Sequence, residues 1–349
     1  MTKILHITGA LSGGGAERQL HLLLKNLHDF QHFVFSLNGD GQEGYDDLST
    51  PVTYRKGRSG QRELYRLLVK VQPEIVHCWI PATLPYAIPA VYVYGRQKVV
   101  FVAAMRSAYV LRGRRRRLQR WLYDRVDRIV SNVPPLTMNP PYRQVYEEKS
   151  GVFIPNGLEL STSSHKLINV ENDLIADRRT LLYVGRLIPD KNLFVLLSAV
   201  ARLPDTTLVI CGEGGLEDAL HTKCSDLGIS SRVHFMGYRK DVRSLMSVAR
   251  ALVLPSTREG MPNVAFEAVA MGCRLVLSDL PVHRFWFDEF AWAQFAPVND
   301  PNAFAKAIAK ALLDNGGKPD ASMLLAKLRP TTFAANYSRF YNSILSTHQ

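Results

Sequence analysis

Cysteine is scarce: four residues, at 78, 211, 224 and 273, serve a chain of 349. None forms a close pair, so neither a CxxC metal site nor a disulfide framework is expected, and reduced thiols in a cytoplasmic compartment fit best. Glycine (23) and proline (19) stay near average usage, which excludes low-complexity chain. No signal peptide is expected either. Met1-Thr2-Lys3 leads straight into Ile4-Leu5-His6-Ile7, then glycines, Glu17 and Arg18, which reads as a short strand and a turn. One uncharged stretch has the length of a membrane span, Ile75 to Gly95, without Asp, Glu, Lys or Arg. Pro81, Pro85, Pro89 and His77 interrupt it, and each proline frees carbonyls that lipid cannot satisfy. A buried strand ending near His77, then an irregular helix in a core, is the better reading. The glycine loop from Gly9 to Arg18 is neither a Walker A loop nor a GxGxxG turn, and no Asp-x-Asp occurs anywhere in the chain.

With 46% hydrophobic and 21% charged residues the composition is that of a globular protein, and at roughly 150 residues per domain it suggests two domains. Short β-rich runs alternate with longer amphipathic ones, the signature of α/β units around parallel sheets. Strands are expected at Lys3–Thr8, His32–Ser36, Ile75–Cys78, Val99–Ala103, Arg128–Ser131 and Val152–Pro155. Leu181–Val184 restarts the pattern, followed by Leu208–Cys211, Val233–Phe235, Ala251–Leu254 and Arg274–Ser278. Helices fall between them, among them Ala16–Leu27, Gln61–Val71, Arg112–Val126, Leu193–Ala201 and Val264–Met271. Leu158 to Arg179 lacks a strong apolar period and is expected to be the linker. The net charge of +12 is uneven: residues 1–170 hold 23 Lys and Arg against 13 Asp and Glu, so the basic surface belongs to the first half.

Ligands of parallel sheets sit beyond the carboxyl ends of the strands, so the residues after each strand carry the functional argument. After the first strand come Gly13-Gly14-Gly15-Ala16-Glu17, which let backbone approach a ligand or serve only as a turn. Gly185-Arg186 and Asp190-Lys191-Asn192 place two cations at one strand end, suited to a diphosphate or equally to a solvated surface. Cys211-Gly212-Glu213-Gly214 repeats the theme and is explained without a ligand by a turn and a helix start. The most informative segment is Leu254 to Ala268. Glu259 lies in its loop, Pro262 fits the first helical turn, where its missing N–H costs nothing, and Gly260-Met261-Pro262-Asn263 forms a helix start whose exposed amides face a phosphate or sugar. Glu267 follows about one turn inside, among Val264, Ala265, Phe266, Ala268 and Val269, where a buried carboxylate requires a partner.

Glu259 and Glu267, with seven residues between them, resemble the E-x7-E signature of retaining GT-B glycosyltransferases of family 4. Supporting matches run along most of the chain: Gly13 to Glu17, Ile154-Pro155-Asn156-Gly157, Gly185-Arg186, Asp190-Lys191-Asn192, Gly212-Glu213-Gly214 and Phe235-Met236-Gly237-Tyr238. The resemblance implies an α/β GT-B fold, two Rossmann-like domains facing across a cleft. It implies an acceptor-side domain over 1–165, a nucleotide-sugar domain over 166–330, and a C-terminal helix over 331–349 packing back on the first domain. It implies that Arg186 and Lys191 bind the diphosphate, that Glu267 holds ribose hydroxyls, and that Glu259 contacts the donor sugar. Backbone near Tyr238 and Arg239 would read the base, with Gly14, Gly15 and Glu213 also on the donor. Two departures stand out. Arg106 occupies the place of a frequent cleft histidine, and Trp79 follows His77 where related sequences often repeat a histidine. His77 either lines the acceptor side with Arg106 or is a satisfied core residue.

Leu111 to Tyr123 holds five arginines within six residues, then Leu118, Trp121 and Leu122 at helical spacing. A basic amphipathic helix of this kind lies on anionic lipid headgroups, with an RNA-binding patch or a solvated face as competing accounts. The membrane surface is favoured for Arg114, Arg115, Arg116, Arg117 and Trp121, because a lipid-linked acceptor requires it. The expectation is therefore a transferase moving a sugar from a nucleotide-diphosphate sugar, UDP- in preference to GDP-, to a glycan or lipid-linked acceptor in surface polysaccharide or glycolipid assembly. No cofactor, no metal and no nucleic acid are expected, and the location is the inner face of the cytoplasmic membrane. A GT-B nucleotide-sugar epimerase and a basic nucleic-acid-binding protein are the alternatives.

Overall fold

The central strands of the first half are buried at nearly every position, so both faces of their sheet are covered. The computed structural model describes residues 1–9, 15–37, 52–54, 60–106, 113–159, 179–314 and 317–347. Gly14 and nearly all of the expected linker lie outside them. The first half runs β1 (Lys3–Thr8), α1 (Gly15–Asn26), β2 (Gln31–Ser36), β3 (Val52–Tyr54), α2 (Gly60–Val71), β4 (Ile75–Cys78), α3 (Leu84–Gly95), β5 (Val100–Met105), α4 (Gly113–Tyr123), β6 (Arg128–Ser131), α5 (Pro140–Glu148) and β7 (Val152–Phe153). Its seven strands form one parallel sheet in the order β3-β2-β1-β4-β5-β6-β7.

The period of two sends Leu5, Ile7, Val76, Cys78, Phe101 and Ala103 to one core, and Ile4, Ile75, Val100 and Val102 to the other. In this register His6 pairs with His77, so two histidines project onto the second face together. The uncharged stretch resolves as a 3-10 turn at Pro81–Thr83 and then α3, with Pro89 inside it. At 12 residues α3 spans about 18 Å, and no helix among the described residues is long and apolar enough to cross a membrane.

The second half runs β8 (Thr180–Val184), α6 (Leu193–Val200), β9 (Thr207–Cys211), α7 (Glu217–Asp226), β10 (Val233–Phe235), α8 (Val242–Val248), β11 (Ala251–Leu254), α9 (Asn263–Ala270), β12 (Arg274–Ser278), α10 (Pro281–Phe287), β13 (Ala293–Ala296), α11 (Pro301–Leu313) and α12 (Ser322–Ala326). Six parallel strands follow the order β10-β9-β8-β11-β12-β13 around a core drawn from α6, α11 and the inward strand residues. Local chemistry sets the start of α11. Asp300 accepts hydrogen bonds from the amides of Asn302 and Ala303, both at 2.9 Å, and Pro301 takes the first helical position, where no amide hydrogen is needed.

The last helix, α13 (Pro330–Ser346), belongs to the first unit, which comprises Met1–Glu159 and Lys327–Gln349; the second is Leu160–Ala326. Phe333, Tyr337, Phe340, Tyr341 and Ile344 bury its inner face in the core that also holds Leu20, Leu23 and Ile75. Burying each contributes about 1.5–3 kcal/mol relative to exposure. All four cysteines are free and buried. Burial pushes the Cys78, Cys211 and Cys273 thiols up to about 12, so they are packing residues rather than nucleophiles.

Candidate active site

In the second unit the loops after β8, β9 and β10 are laced backbone to backbone. Gly185 N donates to Cys211 O at 2.9 Å, Leu187 N to Glu213 O at 2.9 Å, and Gly212 N to Gly237 O at 2.7 Å. The glycines are there because the chains touch. A Cβ on Gly212 would lie 2.0 Å from the Gly185 carbonyl oxygen, and one on Gly214 would lie 2.4 Å from that of Leu187. Glu213 is exposed at this edge, and its Oε1 accepts the Tyr238 amide at 3.3 Å. Tyr238 projects its ring outward at 63% exposure. Arg239 is held flat by Asp241, with Nε and Nη2 donating to its two carboxylate oxygens at 2.8 and 2.6 Å.

The loop after β8 is joined to the loop after β11. Lys191 Nζ donates to Glu259 Oε1 at 2.5 Å, and Ser256 Oγ donates to the same oxygen at 2.8 Å. Glu259 and Lys191 side chains are only 13% and 21% exposed, so the pair is far less screened than a surface ion pair. Thr257 N donates to Asp190 O at 2.9 Å, and Arg258 pairs with the Asp190 carboxylate. Asn192 closes the turn in the left-handed region at φ 54°, which asparagine tolerates, and its Nδ2 donates to Val298 O at 2.8 Å. Glu259 Oε2 makes no hydrogen bond to the described residues. Arg186 is exposed at the mouth, and its guanidinium forms no ion pair among the described residues. No group of three or more His, Cys, Asp or Glu side chains among the described residues is placed to hold a metal.

Two expectations at α9 change. Pro262 is the cap residue preceding the helix, not part of its first turn, since its ψ of 71° is non-helical and α9 begins at Asn263. Glu267 is part-exposed, although Ala265, Phe266, Ala268 and Val269 around it are buried. The helical period carries position 267 to the solvent side of an otherwise apolar helix, so it bears no full burial cost. Gly260 is part-exposed, whereas Met261 and Pro262 are buried beneath the helix start.

His283 was not marked by the sequence. It is fully buried on α10, and its Nδ1 donates to Ser278 O at 2.8 Å. Nε2 has no hydrogen-bond partner among the described residues. Burial holds its pKa below the usual histidine range; its carbonyl partner and Glu259 oppose this, and Lys191 reinforces it. The signal available was a histidine two positions after the proline that opens a helix, which is too common to select it.

In the first unit His77 belongs to the core. It is fully buried, its Nδ1 meets the Tyr341 hydroxyl at 2.8 Å, and its ring stacks on Trp79 at 4.9 Å. Trp79 Nε1 donates to His6 Nδ1 at 3.0 Å, His6 Nε2 meets His32 Nδ1 at 2.9 Å, and His32 Nε2 reaches Leu27 O at 2.9 Å. The carbonyl can only accept, so His32 carries its proton on Nε2 and His6 likewise, and both rings are neutral. Burial accordingly lowers the pKa of His6, His32 and His77. α13 is what covers this face, in keeping with a C-terminal helix that packs back on the first domain, while nothing near His77 in sequence marks Tyr341 as its partner.

Arg106 sits at the end of β5, part-exposed. Its Nη1 donates to Asn156 Oδ1 at 3.1 Å, and its guanidinium lies 4.5 Å from the centre of the Trp79 ring. No carboxylate among the described residues is within ion-pair distance. Burial lowers its pKa, against the pull of Tyr337, Tyr341 and Glu17. Gly15 opens α1, exposed, and Gln19 behind it exchanges two hydrogen bonds with the Gly157 backbone, at 2.9 and 2.8 Å. Arg114 to Arg117 and Trp121 are exposed on α4.

Comparison with known proteins covers both halves. Residues 13–137 match the family model "Glycosyltransferase Family 4", and residues 166–324 match "Glycosyl transferases group 1". The lipopolysaccharide core biosynthesis glycosyltransferase LpsE of Rhizobium meliloti is 32% identical over 41% of this chain and 42% of its own. The N-acetylgalactosamine-N,N'-diacetylbacillosaminyl-diphospho-undecaprenol 4-alpha-N-acetylgalactosaminyltransferase of Campylobacter jejuni is 27% identical over 61% of this chain and 58% of its own. The chain thus spans about half the length of the curated relatives it matches. The Anabaena protein HepE, solved in complex with UDP-glucose, superposes with a TM-score of 0.83 at 18% identity over 98% of this chain and all of that one. Each half thus matches a glycosyltransferase family model, and the fold is that of the GT-B glycosyltransferases.

Proposed function

We propose that the chain is a retaining glycosyltransferase that moves a sugar from a nucleoside-diphosphate sugar, UDP- in preference to GDP-, to a glycan or lipid-linked acceptor in surface polysaccharide or glycolipid assembly. The observation that carries this reading is the Lys191–Glu259 pair at the strand ends of the second unit, with Glu259 Oε2 left open. Lys191 is held where a diphosphate meets its remaining donors, and exposed Arg186 adds a bidentate partner. Glu259 Oε2 accepts a hydroxyl of the donor sugar, and Glu267 accepts from the ribose. The amides of Glu213 and Gly214 and of the α9 start complete the anion site. Tyr238, Glu213 and the backbone at Arg239 border the base.

In the reaction the anomeric carbon–oxygen bond to the diphosphate breaks as the acceptor hydroxyl attacks on the same face. The leaving phosphate oxygen takes the acceptor proton. Charge builds on the diphosphate, and fixed cations stabilise it in the transition state more than in the ground state. This reading assigns that work to Arg186 and Lys191 rather than to a divalent ion. Arg106 stands on the acceptor side. The relative named for a diphospho-undecaprenol substrate and the UDP-glucose complex of HepE support the acceptor and donor classes. The exposed arginines of α4 suit the anionic inner face of the cytoplasmic membrane.

A thermal-shift panel of UDP-, GDP- and ADP-sugars, with and without EDTA, tests the donor. Stabilisation by a UDP-sugar that survives EDTA and is lost in Lys191→Ala is expected. A shift that needs a divalent ion, or one that Lys191→Ala retains, overturns the assignment.

A further inference from the structure

Between α4 and α5 lies a cavity of about 640 Å³, lined by Arg116, Arg117, Arg120, Trp121, Tyr142 and Val145 among others. Its charged groups differ in what they already do. Arg120 is committed to protein, with Nε on Asp124 at 2.8 Å and a second nitrogen on Glu148, which clasps α4 to α5. Arg116 and Arg117 are exposed and form no ion pair among the described residues. The first turn of α4 contains no acid, so its arginines crowd the positive end of the helix dipole, an arrangement relieved by a bound anion. The inner wall is apolar: Val145 and Tyr123 are buried. Beside the mouth, Trp121 and Leu118 stand 46% and 56% exposed, and Arg125 covers one face of the indole at 3.5 Å. Two unpaired guanidinium groups above an apolar pocket, next to an exposed tryptophan, match an amphiphile with an anionic head.

We propose that this cavity seats one anionic phospholipid of the bilayer, its phosphate on Arg116 and Arg117 and its first acyl carbons against Trp121, Tyr142 and Val145. The proposal rests on the membrane reading above and sharpens it, from a basic face that adheres to any anionic surface to a pocket that holds one lipid. An RNA strand would use the arginines but not the apolar wall, and so is not favoured.

The test is calorimetric titration of the full chain with dihexanoylphosphatidylglycerol below its micelle concentration. Dihexanoylphosphatidylcholine, inorganic phosphate, farnesyl phosphate and a 20-nucleotide RNA serve as parallel probes. Saturable one-site binding of the phosphatidylglycerol is expected, at least tenfold tighter than that of phosphatidylcholine or phosphate. Arg116→Ser/Arg117→Ser should weaken it at least tenfold. So should Gln144→Trp, which fills the cavity mouth from an exposed position and leaves every arginine in place. Gln144→Trp should still sediment with phosphatidylglycerol vesicles as the parent does. If vesicles bind but the short-chain lipid does not saturate, or Gln144→Trp binds it unchanged, the pocket proposal is overturned while the membrane reading stands. If neither vesicles nor short-chain lipid bind, both fail. Tighter binding of farnesyl phosphate, or RNA that displaces the lipid, overturns the assignment to a bilayer phospholipid.

Discussion

The two units share one architecture, a parallel sheet flanked by helices, yet use their polar residues in opposite ways. The first turns them inward. His6, His32, His77, Trp79, Tyr337 and Tyr341 make a buried network under α13, and its surplus positive charge lies outside on α4. The second keeps an apolar core and gathers polar groups at its strand ends, where Lys191, Glu259 and Ser256 fix one another and Asp190 holds Thr257 and Arg258. The contrast teaches that a polar side chain after a β-strand carries no fixed meaning. Covered by a helix it becomes a stability element; left at the sheet edge and paired, it becomes a preorganised site.

Substitutions separate the two uses. The largest effect on stability is expected from Tyr341→Ala, which opens a cavity under α13 and removes the partner of His77. A loss of about 3–5 kcal/mol is expected by urea titration, with nucleotide binding to the second unit unchanged wherever the chain stays folded. A change under 1 kcal/mol would deny the buried network its role. Next, Lys191→Ala should lower kcat/KM by about 10²- to 10³-fold, close to the effect of removing one fixed charge-stabilising donor. Its melting temperature should hardly move, and wild-type turnover would erase the contrast between the units. Gly212→Ala mixes the two effects. Its Cβ would collide with the Gly185 carbonyl at 2.0 Å, so the strand-end loops must part. A cost of about 1–3 kcal/mol is expected, together with weaker nucleotide-sugar binding by calorimetry.

The smallest effect is in pH. His6, His32 and His77 have folded pKa values below the unfolded value of about 6.5. The unfolded chain therefore binds more protons as pH falls through that value, and stability drops from about pH 6.5 downward. Three such groups lie in the first unit and one, His283, in the second. Urea titrations from pH 8 to pH 5 should show the first unit losing more. Equal slopes would break the distinction.

Legibility followed the range of the interaction. β1, β4, β6, β10, β11 and β12 were read to their end residues, because apolar runs bounded by turn residues carry that signal locally. β3 and β13 were missed; Ala293-Gln294-Phe295-Ala296 has little β-branched character and pairs on one side only. α5 and α10 were not named among the expected helices; both open on a proline, Pro140 and Pro281, at the first helical position. Glu259 was found from its loop, but its bond to Lys191, 68 positions away, was not visible there. Glu267 was expected in apolar surroundings because its neighbours in sequence are apolar, while the helix turns it outward.

The alternation of strands and helices, the strand ends that bear glycine, acid and base, and the basic face of α4 were all set by the sequence alone. Period and turn chemistry act over a few residues and need no partner. Tertiary structure alone decided that Lys191 meets Glu259, that His283 lies near them, and that α13 closes over His77. Pairing and exclusion of water depend on which distant surfaces come together, and no local pattern specifies that.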